Sequence, residues 1–122
     1  MAASEFHGGY DPTCIFCKIA NKEIPASIIY ETNDVIAFDD NTPQAPVHFL
    51  VIPKAHYASV QDKVPSHILA AVFEAAAEVA RIKGIDESGY RLITNCGKAA
   101  GQTVFHFHVH VLGGKTLNEG LI

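Results

Sequence analysis

The sequence lacks a basic excess: nine lysines and arginines stand against thirteen aspartates and glutamates, a formal net charge of −4 over 122 residues. Affinity for a nucleic-acid polymer rests largely on cations that neutralise phosphates, so this balance argues against such a partner and leaves a single nucleotide open. A long apolar run is also missing, although a bilayer crossing needs about 20 consecutive apolar residues. The opening MAASEFHGGYDPT has neither the basic nor the apolar part of a secretory leader. These absences predict a soluble protein with no membrane partner, cytoplasmic and with the nucleus also open to it. Cysteine is scarce: Cys14, Cys17 and Cys96 make an odd count, unlike the disulfide framework of a small secreted domain. Reduced or metal-bound thiols are the expectation.

What is present suffices for one domain. A chain of 122 residues buries roughly two-thirds of its unfolded surface without staples. Residues 1–12, with Gly8-Gly9 and Asp11-Pro12, read as a mobile arm ahead of a single domain at 13–122. CIFCKIAN, 14–21, places Ile15, Phe16 and Ile19 at helical offsets behind a capping Thr13. SIIYE (27–31) and VIAFD (35–39) read as a hairpin, and HFLVIP (48–53) as a third strand closed by Pro53.

Residues 65–83 form the one long helical pattern, with Ile68, Leu69, Val72, Phe73, Ala76, Val79, Ala80 and Ile82 in an apolar stripe and Gly84 at its stop. YRLITN (90–95) and VFHFHVHVL (104–112) supply a fourth and a fifth strand around the loop CGKAAGQT. This order predicts an α+β domain: a five-stranded antiparallel sheet with one long and one short helix, the long one covering one face.

The last strand carries an unusual signal. His106, His108 and His110 alternate with Phe105, Phe107, Val109 and Val111, so period two puts the imidazoles on one face and the apolar residues toward the core. His106 and His110 would then stand about 13 Å apart, too far to share one metal ion. A His-x-His pair could hold a metal with ligands from elsewhere; alternatively the row has distinct jobs, with one imidazole reacting and the others flanking it. Polar filler on a solvated face is the plainer reading, and three imidazoles at this spacing argue against it. Cys14 and Cys17 are similarly ambiguous: a redox pair sits at a helix start after a strand, which is missing here, whereas a zinc site needs two further ligands.

The run HFHVHVLGG resembles the signature of the histidine-triad superfamily of nucleotide hydrolases and transferases. Together with FCKIANKEIPASIIYE, VIAFDDNTPQAPVHFLVIPKAH and YRLITNCGKAAGQT, it is similar to the Hint branch, the histidine-triad nucleotide-binding proteins, over about residues 13–115. The resemblance implies a purine nucleoside phosphoramidase that cleaves adenosine 5′-phosphoramidates and acyl-adenylates to AMP and an amine or acid through an AMP–histidine adduct. It gives His108 the role of nucleophile, with His110 contacting a phosphate oxygen and aiding departure of the leaving group, and His48 completing the cluster. Gly101, Gln102 and Thr103 match the phosphate loop, with Thr103 also part of the catalytic set.

Asn95 matches a contact near ribose and phosphate, and Asp40 the carboxylate that accepts from the ribose hydroxyls. Ile15, Phe16, Ile19, Phe38, Asn41 and Leu50 map onto the purine pocket, where Asn41 stands in place of the usual aliphatic residue. Read alone, Phe16, Phe38 and Leu50 are equally suited to plain core, and Asn95 to a turn.

The resemblance further implies a structural zinc held by Cys14, Cys17, His56 and His106, no cofactor required for catalysis, and a homodimer with a ten-stranded sheet. Rival readings are a dinucleoside polyphosphate hydrolase, which normally has a glutamine where Leu112-Gly113-Gly114 follow the triad; a nucleotide-binding scaffold with little turnover; and a zinc hydrolase using His-x-His as ligands. After GGK the chain reads TLNEGLI, without the aromatic tail of many relatives.

Overall fold

In the computed structural model, which describes residues 3–119, five strands form one antiparallel sheet: β1 (Ile28–Glu31), β2 (Val35–Asp39), β3 (Val47–Pro53), β4 (Tyr90–Ile93) and β5 (Val109–Gly113). Their spatial order is β1-β2-β3-β5-β4. Residues 1–2 and 120–122, the outermost parts of the expected arm and domain, lie outside the described residues. No helix among the described residues is long and apolar enough to cross a membrane.

Alternation of side chains divides the core into two layers. Val35, Ala37, Phe49, Val51, Val109 and Val111 face the long helix α2 (Ser66–Ile82), whose buried side is Ile68, Val72, Ala75, Ala76, Val79 and Ala80. Five small alanine and valine positions let this helix lie close to the sheet. Phe73 and Ile82, expected in the stripe, sit at its two margins and are 42% and 49% exposed. Pro65 takes the cap position, and Gly84 follows the helix at φ 73°, which glycine reaches without a Cβ penalty.

The opposite face presents Ile36, Phe38, Leu50 and Ile52 to the short helix α1 (Ile15–Ala20), which contributes Phe16, Cys17 and Ile19. Its cap is Cys14, whose Sγ accepts the Cys17 N–H at 3.3 Å. Thr13, expected there, turns instead to Asp11, with both its N–H and its hydroxyl on Oδ1. The helix closes with the Glu23 N–H on the Lys18 carbonyl at 2.8 Å, over Lys22 at φ 63°.

The structure corrects the sequence reading in two further places. The ladder of β5 begins at Val109 rather than 104, because β3 offers its last partner at Val51 and β4 at Ile93. Inside and outside still alternate before the ladder starts: Phe107 is buried with the α2 layer, while His106 and His108 pack edge-on against Phe16. Phe105, expected in the core, is 50% exposed. The described part of the segment before α1 makes contacts with the 56–62 region. The Ser4 N–H donates to Asp62 Oδ1 at 2.8 Å, and Gly8 and Gly9 pair with the backbone of His56 at 2.6 and 2.8 Å.

Candidate active site

Three imidazoles meet where β3 and β5 run side by side. His48 on β3 pairs across with Leu112, and His110 on β5 with Leu50, so both project from the α1 face. Their Nε2 and Nδ1 atoms lie 3.0 Å apart. His108 stands one step before the ladder, its ring centroid 5.0 Å from that of His110 and 5.2 Å from that of Phe16.

Backbone partners fix how each ring carries its proton. His108 Nδ1 lies 2.7 Å from the His106 carbonyl, which can only accept, so Nδ1 holds the hydrogen and the lone pair is on Nε2. His48 Nδ1 accepts the Gln44 N–H at 3.0 Å, so its hydrogen is on Nε2 and goes to the nearer acceptor, His110 Nδ1. His110 therefore carries its own hydrogen on Nε2. The Asp40 Oδ2 atom stands behind this pair, 3.4 Å from His48 and 3.9 Å from His110, while its Oδ1 is held by the N–H and hydroxyl of Thr42.

Burial keeps the His108 and His110 rings neutral. It lowers the pKa of His108, and together with the neighbouring His108 and His48 rings it pulls His110 down to about 4. A neutral His108 with a free Nε2 lone pair has the electronic state of a nitrogen nucleophile.

This nitrogen sits on a cleft of about 340 Å³ lined by His108 and His110 together with Ile15, Phe16, Ile19, Phe38, Asp40, Asn41, Leu50, Asn95, Gly101 and Thr103. Almost every residue singled out from the sequence is thus brought to one cavity. Of the catalytic and nucleotide set, His48 and Gln102 are the exceptions: His48 stands beside His110 outside this lining, and the Gln102 side chain is buried, donating to the carbonyls of Ala58 and Val104 and accepting the Gly97 N–H at 2.8 Å. This side chain pins the 97–104 loop, and the Gln102 backbone N–H is held by the Gly97 carbonyl at 3.2 Å. Ile24, Pro25, Ala26, Thr42 and Val104 also line the cleft, and Gln44 orients His48; these were not foreseen. The DNTPQAP turn between two strands was the available signal for Gln44.

A second cluster lies behind the first. Cys14 Sγ, Cys17 Sγ and ring nitrogens of His56 and His106, all buried, fall within 4.8 Å of one another. His106 donates from Nε2 to the Pro53 carbonyl at 2.8 Å, which aims its bare Nδ1 at Cys14 and Cys17, 3.4 and 3.5 Å away. His56 Nδ1 lies 3.3 Å from Cys17 Sγ. Burial pushes the Cys17 thiol up to about 12 and the imidazoles of His56 and His106 down, the latter to about 4.

Two soft sulfurs and two oriented imidazoles fit tetrahedral zinc, and the carbonyl behind His106 is the outer partner such a ligand uses. Asp40, His48 and His110 also bring atoms within 4.8 Å. There, however, both His48 nitrogens are spent, Nδ1 on Gln44 and Nε2 on His110.

Residues 21–117 match the family model described as HIT domain. A purine nucleoside phosphoramidase of Escherichia coli strain K12 is 45% identical over 109 residues, covering 88% of this chain and 92% of the relative. Among solved structures, a HIT family hydrolase from Clostridium thermocellum is 51% identical with a TM-score of 0.88, covering 92% of this chain and 99% of that one. A histidine triad protein from Clostridium difficile is 44% identical with a TM-score of 0.87, covering 91% and 98%. With the triad, its cleft and the five-stranded sheet all in place, the chain belongs to the HIT family.

Proposed function

We propose that the protein is a hydrolase that cleaves purine nucleoside 5′-phosphoramidates, and related acyl-adenylates, through a covalent AMP–His108 intermediate. The observation that carries this reading is the His108 ring, its Nδ1–H tied to the His106 carbonyl and its neutral Nε2 on the nucleotide-sized cleft. The resemblance to the phosphoramidase of Escherichia coli supports the substrate class.

In the first step the Nε2 lone pair forms an N–P bond as the P–N bond to the leaving amine breaks. The amine departs with a proton delivered through the Nε2–H of His110, which solvent replaces. In the second step water bonds phosphorus, the N–P bond to His108 breaks, and the spare proton returns to solvent, leaving AMP and the resting enzyme. The Thr103 backbone N–H and hydroxyl receive the charge on the equatorial oxygens, while the N–H groups of Gly101 and Gln102, held by the carbonyls of Lys98 and Gly97, shape the loop around them. Phe16, Phe38, Leu50 and their aliphatic neighbours sandwich the base, and Asn95 and Asp40 meet the ribose side.

His48 acts through His110, holding its tautomer; because both its nitrogens are already engaged, it is poorly placed as a ligand in a His-x-His zinc hydrolase. The Cys14, Cys17, His56 and His106 set is suited to one structural zinc ion, which when bound cross-links α1, the loop after β3 and the approach to β5. A homodimer through the β4 edge fits the exposed Leu92 on that strand and Phe73 on α2, which a second copy would cover. The function is tested by steady-state AMP release from an adenosine 5′-phosphoramidate. Turnover by wild type that is lost in His108→Asn is expected, whereas equal turnover by both would contradict the assignment.

A further inference from the structure

The nucleotide cleft has a neighbour. A second cleft of about 620 Å³ shares His110 and Asn95 with it and is lined besides by His48, Arg91, Leu112 and Lys115, among others. His108 lines only the first cleft, His48 only the second, and His110 both. That order matters for an in-line displacement, in which the leaving group departs opposite the attacking nitrogen. With His108 on one side of phosphorus and His110 beyond it, the departing group points past His110 into the second cleft.

The charge of this cleft is one-sided. Arg91 on β4 pairs across with Leu112 on β5, which pairs with His48 on β3, so the three stand in a row on the α1 face. At the spacing of adjacent strands, Arg91 is about 10 Å from His48 between Cα atoms, within reach of its long side chain. Arg91 is half-buried and gives one donor to the Asn118 carbonyl at 2.6 Å, and the rest of its guanidinium fork has no partner among the described residues. Lys115 adds a second, exposed cation from the segment after β5. No aspartate or glutamate lines the cleft among the described residues. Asp40 lines the first cleft, its Oδ2 3.4 Å from His48, and Glu119, the nearest acid along the chain, is outside the lining.

We infer that the second cleft is the leaving-group site and that Arg91 and Lys115 make it select leaving groups carrying an anionic group, a carboxylate or a phosphate, over cationic amines. This rests on the phosphoramidase reading and sharpens it, because the triad leaves the leaving group unspecified. Apolar Ile93 and Leu112 on the cleft wall suit a short alkyl stem between the reacting nitrogen and the charge.

Four adenosine 5′-phosphoramidates whose amines have matched alkyl chains, ending in methyl, ammonium, carboxylate or phosphonate, test it in wild type, Arg91→Glu and Lys115→Glu. Wild type is expected to process the carboxylate or the phosphonate with a kcat/KM about tenfold above the ammonium compound, a difference worth ~1.4 kcal/mol. Which of the two anions is faster tells carboxylate from phosphate specificity. In either charge reversal the anion-to-cation ratio should fall below one. Lys115→Glu, on an exposed turn, gives this reading even if Arg91→Glu disturbs the Asn118 contact. A wild-type preference for ammonium, or a ratio unmoved by both reversals, overturns the leaving-group assignment while turnover of the methyl compound keeps the phosphoramidase reading. AMP release from none of the four overturns both.

Discussion

His110 shows how one residue couples fold to chemistry. Burial, with the neighbouring His108 and His48 rings, lowers its pKa from the usual 6.5 to about 4, and its Nδ1 accepts from His48, so a proton there would bring two N–H groups face to face. Between those values the unfolded chain binds a proton that the folded one refuses, so stability falls as pH drops from 6.5 toward 4 and rises as pH climbs back. Urea midpoints across this window are expected to fall more steeply for wild type than for His110→Asn; parallel curves would contradict the account. Gln102 acts in a different way. Its amide serves three backbone groups in a buried setting, so Gln102→Ala should cost about 2 kcal/mol by leaving them unpaired. Chemical denaturation measures it, and a change near zero would mean that water takes the amide's place.

At the scale of elements, the site depends on where strands stop. β5 is in ladder from Val109 onward, and the two residues before it that carry chemistry, His106 and His108, are set by other bonds: His106 by the Pro53 carbonyl, His108 by that of His106. Near its other end, Gly113 has no room for a side chain, since a Cβ would meet Ile85 Cδ1 at 2.9 Å. Gly113→Ala is accordingly expected to destabilise by about 1–3 kcal/mol, read as a lower thermal midpoint with the same nucleotide preference. α1 is held to the sheet by its apolar side and by the thiols it brings to His56 and His106. Cys17→Ser should therefore lose bound zinc, near one ion per chain in wild type by elemental analysis, and lower the thermal midpoint. Wild type purified without zinc and unaffected by chelation would remove that role.

Much of this was legible in the sequence. Imidazoles at period two against Phe and Val placed His108 and His110 on one face, and the branched runs and the alanine-rich stripe gave the strands and α2. What the sequence hid were choices settled by neighbours distant along the chain. Thr13 and Cys14 both suit a cap, and the Asp11 carboxylate draws Thr13 away. Phe105 fits the inward pattern but lies where no strand runs beside it, and nothing local in MAASEFHGGYDP announces that Asp62 and His56 hold its backbone.

For the whole molecule, the two faces of the sheet divide the labour. α2 closes one side with the larger apolar layer, and the other carries the thiol–imidazole cluster at α1, the first cleft, and next to it the second cleft, which reaches Arg91 and Ile93 on β4. The open edge at β4 is where a second copy would extend the sheet, so Leu92→Arg is expected to convert a dimer into a monomer in sedimentation. A wild-type monomer at micromolar concentration would refute the assembly without touching the chemistry. The central claim is the bond between His108 and phosphorus. Its most direct test is the intact mass of protein quenched in acid-free denaturant during turnover of an adenosine 5′-phosphoramidate. The account predicts one added adenylyl group on wild type, mapped to His108 and missing from His108→Asn; turnover with no adduct at His108, or an adduct that persists in the variant, would contradict it.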